Sequence, residues 1–469
     1  MSEEAPIVSG VPPRPLRRWL EALVGLRQPR DPGEERTLGI ARGALSSLAA
    51  QGISIVTGFL AVPLAIGYLG AERYGAWAII GSILAWLTVA DLGIGNQLTN
   101  SLSAARGRRD VGEARALVST ATFALAALGA LLLVASALSW WLLDWPRIFN
   151  VEGAGAVAEV APAAGIALAG FGAAFPLAVA ERVYTSYQDG AVANAWNVAA
   201  SLAGLAGLFL ATRTGGGLVA VVAATTAAGL AVRGASAAWL FRARRPELRP
   251  ARADVTRERL LHFGARGSEF FLVQIAALVL YSTDNLIIAQ VLGAEAVTPY
   301  AVAWRLFAVP GMAFSAAFPY LWAAYAEALA RGDRAWVLRA LRWSVVGGTL
   351  VVAALTLPLV AFGREIIRFW AGRAAVPPWP TLAWLGAWNL VLTPMNAIVC
   401  LLNAAGKIRW QVYVGAVTAL ANVAVSIWWA KAFGVSGVIA ATVVTYVLCV
   451  MAPATFVGVR TARKLAARP

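Results

Sequence analysis

Charged and metal-binding residues are scarce in this chain of 469 residues. Charged side chains make up 13% of it, whereas a soluble protein of this size carries about a quarter. One histidine and two cysteines are present, and Cys400 and Cys449 both lie in apolar runs without disulfide or metal-site spacing. A nucleophile elbow, a P-loop and an outer loop long enough for a catalytic domain are also missing. We therefore expect neither a soluble protein nor an enzyme, and neither a cofactor nor a bound metal.

Long apolar runs dominate what remains. A helix needs about 20 apolar residues to cross a bilayer core of roughly 30 Å, and these runs do not alternate as barrel strands do. The sequence predicts an all-α polytopic membrane protein with about 12 transmembrane helices. Their predicted ranges are 43–69, 75–103, 117–143, 156–180, 190–211, 216–241, 262–291, 297–326, 337–362, 379–403, 409–430 and 435–459.

Positive charge is distributed unevenly between the two sides of the predicted membrane. The net charge of +15 would point to nucleic acid in a soluble protein. With the N-terminus in the cytoplasm, 30 of the 39 Lys and Arg residues fall on the cytoplasmic side and 7 on the other. This asymmetry predicts cytoplasmic N- and C-termini and no nucleic-acid partner. The predicted organisation is a polar tail 1–42, a six-helix bundle 43–241, a basic and mostly solvated linker 242–261, a six-helix bundle 262–459 and a basic tail 460–469.

An internal repeat relates the two bundles. "LGAE" occurs at residues 69–72 and again at 292–295, an offset of 223. "ARG" opens the first and seventh helices with an offset of 224, and "AARGRRDVGEARALVS" from residue 104 resembles "LARGDRAWVLRALRWS" from residue 329. An even number of helices per copy predicts a parallel repeat about an axis along the membrane normal. Such bundles enclose a central cavity and rock about it, which gives alternating access.

Three stretches resemble a known family. They are "PLAIGYLGAERYGAWAI", "ADLGIGNQL" and "YSTDNLIIAQVLGAEAVTPYAVAWRL". They are similar to bacterial O-antigen and exopolysaccharide flippases of the multidrug/oligosaccharidyl-lipid/polysaccharide exporter superfamily. The resemblance covers about residues 38–345, and Thr298 and Pro299 depart from the lone glycine expected there.

The resemblance implies a function in the bacterial cytoplasmic (inner) membrane. It implies a flippase that moves an undecaprenyl-diphosphate-linked oligosaccharide from the inner to the outer leaflet for surface polysaccharide biosynthesis. The implied partners are this substrate, membrane lipid, and a polysaccharide polymerase or export machinery. Because one chain supplies both halves, we expect it to function as a monomer.

Intramembrane charges are the first candidates for the substrate site. Arg305 and Asp284 each lie about ten residues from the centre of the second "LGAE" hairpin, so they reach similar depth. We expect the two to face each other. A planar guanidinium binds phosphate oxygens bidentately, so Arg305 is the candidate diphosphate ligand, with Asp284 orienting it. A purely structural ion pair is the alternative.

Further candidates lie toward the cytoplasmic ends of the helices. Arg42 and Arg266 are repeat mates that would capture a diphosphate at the cavity mouth or simply anchor the chain at the interface. Asp91, Asn96 and Asn100 follow one another in the second predicted helix. They would either line the cavity and bind sugar hydroxyls or hold helices together.

Two other transporters remain as alternatives. A cation-coupled multidrug antiporter of the MATE type shares the superfamily but commonly carries an acidic residue in its first helix. Residues 43–69 contain none. A lipid II flippase usually has two more helices than the twelve predicted in this sequence.

Overall fold

The computed structural model describes residues 32–457 except 92, 188, 257, 261–282, 405–408 and most of 316–332. Throughout these residues the secondary structure is helical. A 56-residue helix, Pro32–Leu87, bends at Gly70 into α1 (32–69) and α2 (71–87). The other helices are α3 Val111–Leu142, α4 Ala154–Ala174, α5 Gly190–Thr214, α6 Gly217–Trp239, α7 Asp284–Leu292, α8 Ala294–Ser315, α9 Gly348–Ala371, α10 Trp379–Ala404, α11 Arg409–Phe433 and α12 Val435–Tyr446.

The helices are long and apolar enough to cross a membrane. In the described part of the chain, eight segments meet this standard by length and composition, and the first of them joins α1 and α2. The predicted ranges 262–291 and 297–326 overlap residues 261–282 and 316–332, which lie wholly or mostly outside the described part. The predicted all-α polytopic architecture is therefore confirmed. Some bounds differ from the predicted ones: α1 begins at Pro32 rather than at residue 43, and α9 ends at Ala371 rather than at residue 362.

The two "LGAE" copies adopt one backbone conformation. Gly70 has φ 74° and ψ 176°, and Gly293 has φ 93° and ψ 158°. A side chain is strongly disfavoured in this region, so glycine is what lets each hairpin turn so tightly. The next helix pair also matches: the Asp110 carboxylate accepts from Glu113 N at 2.9 Å, and the Asp333 carboxylate accepts from Trp336 N at 3.0 Å. The predicted parallel repeat is confirmed.

Two helices of the first half are interrupted where the sequence predicts continuity. α2 passes through the 3₁₀ turn Thr88–Asp91 and resumes at Ile94–Gly107, with Gly93 at φ 74°. α4 passes through the 3₁₀ turn Pro176–Ala178 and resumes at Val179–Ser186. A left-handed glycine and a proline without an N–H group explain the two breaks.

The segments that connect the helices lie on two sides of the molecule. The hairpin side carries the turns at Gly70 and Gly293. The linker side carries residues 240–260, which include the π-helical turn Leu240–Arg244 and the 3₁₀ turns Pro246–Leu248 and Arg252–Asp254.

The linker is attached to the first half at two points. Leu248 is 0% exposed and packs into the core of the first half. The Asp254 carboxylate accepts from Ser119 Oγ at 3.3 Å and pairs with Arg115 Nε at 3.0 Å. Most of the charged side chains of the described linker residues are exposed, as expected of a solvated loop, while one leucine and one carboxylate attach the segment to the first half.

Candidate functional site

A cavity of about 1000 Å³ lies between the two halves. Helices α1, α2 and α5 of the first half and α7 and α8 of the second half line it. Along α2 the lining extends from Tyr74, close to the hairpin turn, to Ala85, and along α1 it extends from Phe59 to Ser47. The cavity therefore reaches from near the hairpin side deep toward the linker side.

The halves meet across the hairpin side. Thr298 Oγ1 donates to the Ala71 carbonyl at 2.5 Å. Asn150 Nδ2 donates to the Ala289 carbonyl at 3.0 Å, and the Asn150 carbonyl accepts from Ala294 N at 3.2 Å. These contacts tie the first hairpin and the α3–α4 connection to the second hairpin, so they close the cavity on this side.

Arg305 projects into the cavity from α8. Its side chain is exposed there, and Nη1 donates to the Gly58 carbonyl at 3.2 Å. Gly58 precedes Gly70 by the same number of residues by which Arg305 follows Gly293, so both lie at one depth. A guanidinium has five N–H donors, and Gly58 is the one described acceptor of this group. The remaining donors are available to an anionic ligand.

Asp284 lies in the cavity wall but does not pair with Arg305. It is 5% exposed, and the Tyr300 hydroxyl donates to its Oδ2. Among the described residues no ion pair involves either Asp284 or Arg305. The expectation that the two face each other was therefore wrong. Similar depth does not fix the direction in which each side chain leaves its helix, and Tyr300 occupies the position beside the carboxylate.

A polar wall lines the half of the cavity toward the linker side. Its members are spaced along one face of α1 and one face of α5, and they are Ser47, Gln51, Ser54, Asn194, Asn197 and Ser201. Asn194 Nδ2 donates to Ser47 Oγ at 2.9 Å, and Ser54 and Ser201 share a hydrogen bond of 3.0 Å. Sequence inspection missed the α5 residues, although polar residues at i, i+3 and i+7 of an apolar helix were the available signal.

For three of the candidate residues the structure does not describe the side chain. Arg42 lies in α1, and Asn100 lies in the second segment of α2, but the structure does not describe their side chains. Arg266 lies outside the described residues. Their proposed roles stay predictions.

Asp91 and Asn96 belong to a second polar cluster inside the first half. Asp91 Oδ1 accepts from Gly93 N at 2.9 Å, and Asn96 Oδ1 accepts from Arg182 Nη1 at 3.3 Å. A methyl group at Gly95 would lie 2.7 Å from Arg182 Nε and 3.0 Å from Asp91 Oδ2, so these opposite charges are neighbours. Neither Asp91 nor Asn96 is among the residues that line the central cavity. The hydrogen bond between Asn96 and Arg182 joins the interrupted helices α2 and α4, and sequence inspection missed Arg182.

Solved structures share this fold. An inward-facing multidrug resistance MATE family transporter of the MOP superfamily matches with a TM-score of 0.75, 16% identity, 90% coverage of this chain and 99% of that one. An outward-facing transporter of that family matches with a TM-score of 0.62 and 16% identity, over 92% of this chain and 96% of that one. A MOP superfamily transporter from Pyrococcus furiosus matches with a TM-score of 0.60 and 17% identity, over 92% of this chain and 97% of that one. The helices and the shared fold are those of a multi-pass membrane protein.

The sequence comparisons identify the family. The model of the family described as "polysaccharide biosynthesis protein" matches residues 40–322, and the chain belongs to this family. A putative O-antigen export protein of Yersinia pseudotuberculosis is 33% identical over 82 residues, which are 18% of this chain and 18% of that relative. Family and fold together describe a multi-pass membrane protein of the polysaccharide biosynthesis family.

Proposed function

We propose that this protein moves an undecaprenyl-diphosphate-linked oligosaccharide from the inner to the outer leaflet of a bacterial cytoplasmic membrane by alternating access. The observation that carries the proposal is Arg305, an exposed guanidinium without an ion-pair partner among the described residues, in a cavity between two repeated halves. A diphosphate that leaves water needs such a partner, because an unpaired anion is costly in a medium of low dielectric constant.

The closed side of the cavity gives the proposed direction of loading. The excess of Lys and Arg supports a cytoplasmic linker side. The hairpin side then faces outward, and the contacts at Ala71, Asn150 and Thr298 close it. This arrangement suits the form that receives substrate from the inner leaflet. The glycan and diphosphate would enter the cavity while the isoprenoid chain stays in lipid between the halves.

The multidrug antiporter is the alternative with the same fold. A cation carrier would be expected to present acidic groups to its substrate. In the described lining of this cavity the exposed charge is Arg305, and the carboxylate of Asp284 is buried against Tyr300. The polar wall offers amide and hydroxyl groups, which suit sugar hydroxyls. These features favour an anionic glycolipid over an organic cation, and among anionic glycolipids they do not discriminate against lipid II.

The decisive experiment is deletion of the gene in its native host. We would quantify lipid-linked oligosaccharides by mass spectrometry and determine the leaflet in which they lie. Accumulation of complete units on the inner leaflet, with loss of surface polysaccharide, is the expected result, and the glycan mass would separate a polysaccharide unit from lipid II. Unchanged intermediates together with altered sensitivity to organic cations would refute the proposal.

Complementation tests the role of Arg305. Loss of a charge-assisted hydrogen bond costs about 1.5–3 kcal/mol, so Arg305→Ala should slow flipping about 10- to 150-fold, and Arg305→Lys should retain part of the activity. Arg233→Ala is the matched control, because Arg233 is an exposed arginine of α6 outside the cavity lining. Full activity of Arg305→Ala at normal protein level would remove Arg305 from the mechanism.

A further inference from the structure

Each half of the molecule contributes a tyrosine and a tryptophan to the central cavity. Tyr74 and Trp77 lie on α2 shortly after Gly70, and Tyr300 and Trp304 lie on α8 shortly after Gly293. All four line the cavity. The pairs belong to different halves, and Trp77 and Tyr300 each follow the glycine of their hairpin by seven residues, so these two rings lie at similar depth.

The tyrosines support the tryptophans. Tyr74 and Trp77 make an edge contact with ring centroids 5.9 Å apart, and Tyr300 and Trp304 stack with centroids 6.0 Å apart. Both tyrosines are buried, and the Tyr300 hydroxyl is held by Asp284. Both tryptophans are only half-buried. Each tryptophan thus presents part of its ring to the cavity from a fixed position.

The indole N–H groups of Trp77 and Trp304 also differ from those of tryptophans packed in a core. A tryptophan packed in a core usually finds a hydrogen-bond partner for its N–H, as Trp370 does by donating to the Phe59 carbonyl at 2.8 Å. Among the described residues, none accepts a hydrogen bond from Trp77 or Trp304. Both the ring faces and the donors of these two residues are therefore open to a ligand.

We propose that the two Tyr–Trp pairs form an aromatic clamp for a pyranose ring of the substrate. The C–H groups on one face of a pyranose carry small positive charges, and the face of an indole ring is negative, so the two stack. The ring hydroxyls then lie at the edge, where the indole N–H groups, Asn285 and Ser82 can reach them. Asn285 and Ser82 also line the cavity and bond to each other at 2.9 Å.

The clamp lies next to the proposed phosphate ligand. At a rise of 1.5 Å per residue, Trp304 and Arg305 are about 16–18 Å from the second hairpin turn, and Trp77 is about 10 Å from the first. A diphosphate on Arg305 would therefore place the sugar joined to it between the pairs. This inference rests on the proposed function and adds the group that binds the first sugar.

Paired ligands separate the clamp from the phosphate site. The purified protein in lipid nanodiscs would be titrated with the lipid-linked oligosaccharide extracted from the deletion strain, and separately with undecaprenyl diphosphate. We expect the sugar-bearing lipid to bind about tenfold more tightly. Trp77→Ala or Trp304→Ala should each reduce that preference about three- to tenfold and leave undecaprenyl diphosphate binding unchanged. Arg305→Ala should weaken both ligands.

Conservative and remote variants complete the test. Phenylalanine at position 77 or 304 keeps a ring face, so these variants should retain most of the preference. Trp343→Ala is the matched control, because this side chain is 75% exposed and lies outside the cavity lining. If an alanine variant loses its thermal transition, Trp77→Leu or Trp304→Leu keeps apolar volume without a ring and replaces it.

The binding results distinguish failure of the clamp from failure of the proposed function. A sugar preference that survives in both alanine or leucine variants overturns the clamp. Equal binding of the two lipids by the unmodified protein, with both lost in Arg305→Ala, also overturns the clamp but leaves the proposed function standing. Absence of accumulated glycolipid in the deletion strain, or no binding of either lipid, refutes the proposed function and the clamp together.

Discussion

Gly75 offers a direct test of how the two halves close on the hairpin side. A methyl group there would overlap the carbonyl oxygen of Ala294 on the other half and would lie 2.9 Å from its carbonyl carbon. The obstacle is backbone, so rotation of a side chain cannot relieve it. Gly75→Ala must therefore separate the hairpins or strain the helices that carry them.

The size of the effect follows from the cost of overpacking. Inserting a methyl group into a well-packed contact costs typically 1–3 kcal/mol, which shifts the ratio of closed to open forms about 5- to 150-fold. Gly67→Ala is the matched control, because a methyl group at this glycine of α1 meets nothing within 4 Å. An alanine inside a helix is otherwise favourable, so the control should be neutral or slightly stabilising.

Distance measurement by electron paramagnetic resonance reports the closure. Spin labels at Arg213→Cys and Lys431→Cys would mark the hairpin-side ends of α5 and α11 after replacement of Cys400 and Cys449. Both label positions are exposed, and they lie in different halves. Gly75→Ala should add a population at longer distance and reduce flipping. A distance distribution that superimposes on that of the unmodified protein would refute the claim that this contact closes the cavity.

Two further predictions concern stability and the linker, with Glu258→Ala as an exposed control for both. Glu159 pairs with Arg73 at 2.7 Å, and the two side chains are 21% and 33% exposed. Glu159→Gln should therefore lower the free energy of unfolding by about 1–2 kcal/mol. Thermal unfolding measures this change. No change beyond the control would show that water replaces the pair. Asp254→Ala should release the linker from α3 and speed tryptic cleavage at Arg252, followed by gel electrophoresis. Unchanged cleavage would show that Leu248 alone holds the segment.

The level of a residue along the helices was predictable from the sequence, but the direction in which its side chain leaves the helix was not. Counting residues from the "LGAE" glycines gives Arg305 the same level along the helices as Gly58, to whose carbonyl it donates. The same counting predicted a pair with Asp284, which Tyr300 satisfies instead. Rise per residue is constant, so depth follows from sequence alone. Which side chains face each other depends on the rotation and crossing of packed helices, which no local pattern specifies.

Local chemistry marked the interruptions only in part. "ADLGIGN" contains the glycine whose left-handed conformation breaks α2, yet the apolar run around it predicts a continuous helix. The interruption places Asp91 near Arg182 of α4, which is distant in sequence. The role of Asp91 therefore depended on a partner that only the packing of α2 on α4 brings near.

The sequence by itself determined the class, the number of helices and the twofold repeat of this protein. Apolar length and the scarcity of charge dictate helices that cross a bilayer, and a glycine with positive φ in each "LGAE" copy dictates two equivalent turns. Tertiary structure alone decided that Arg305 has no carboxylate partner within the described part of the chain, that Asp91 is not among the residues lining the cavity, and that Trp77 and Trp304 line it. These features arise where two separately encoded halves meet, and contacts between distant segments are set by packing rather than by local propensity.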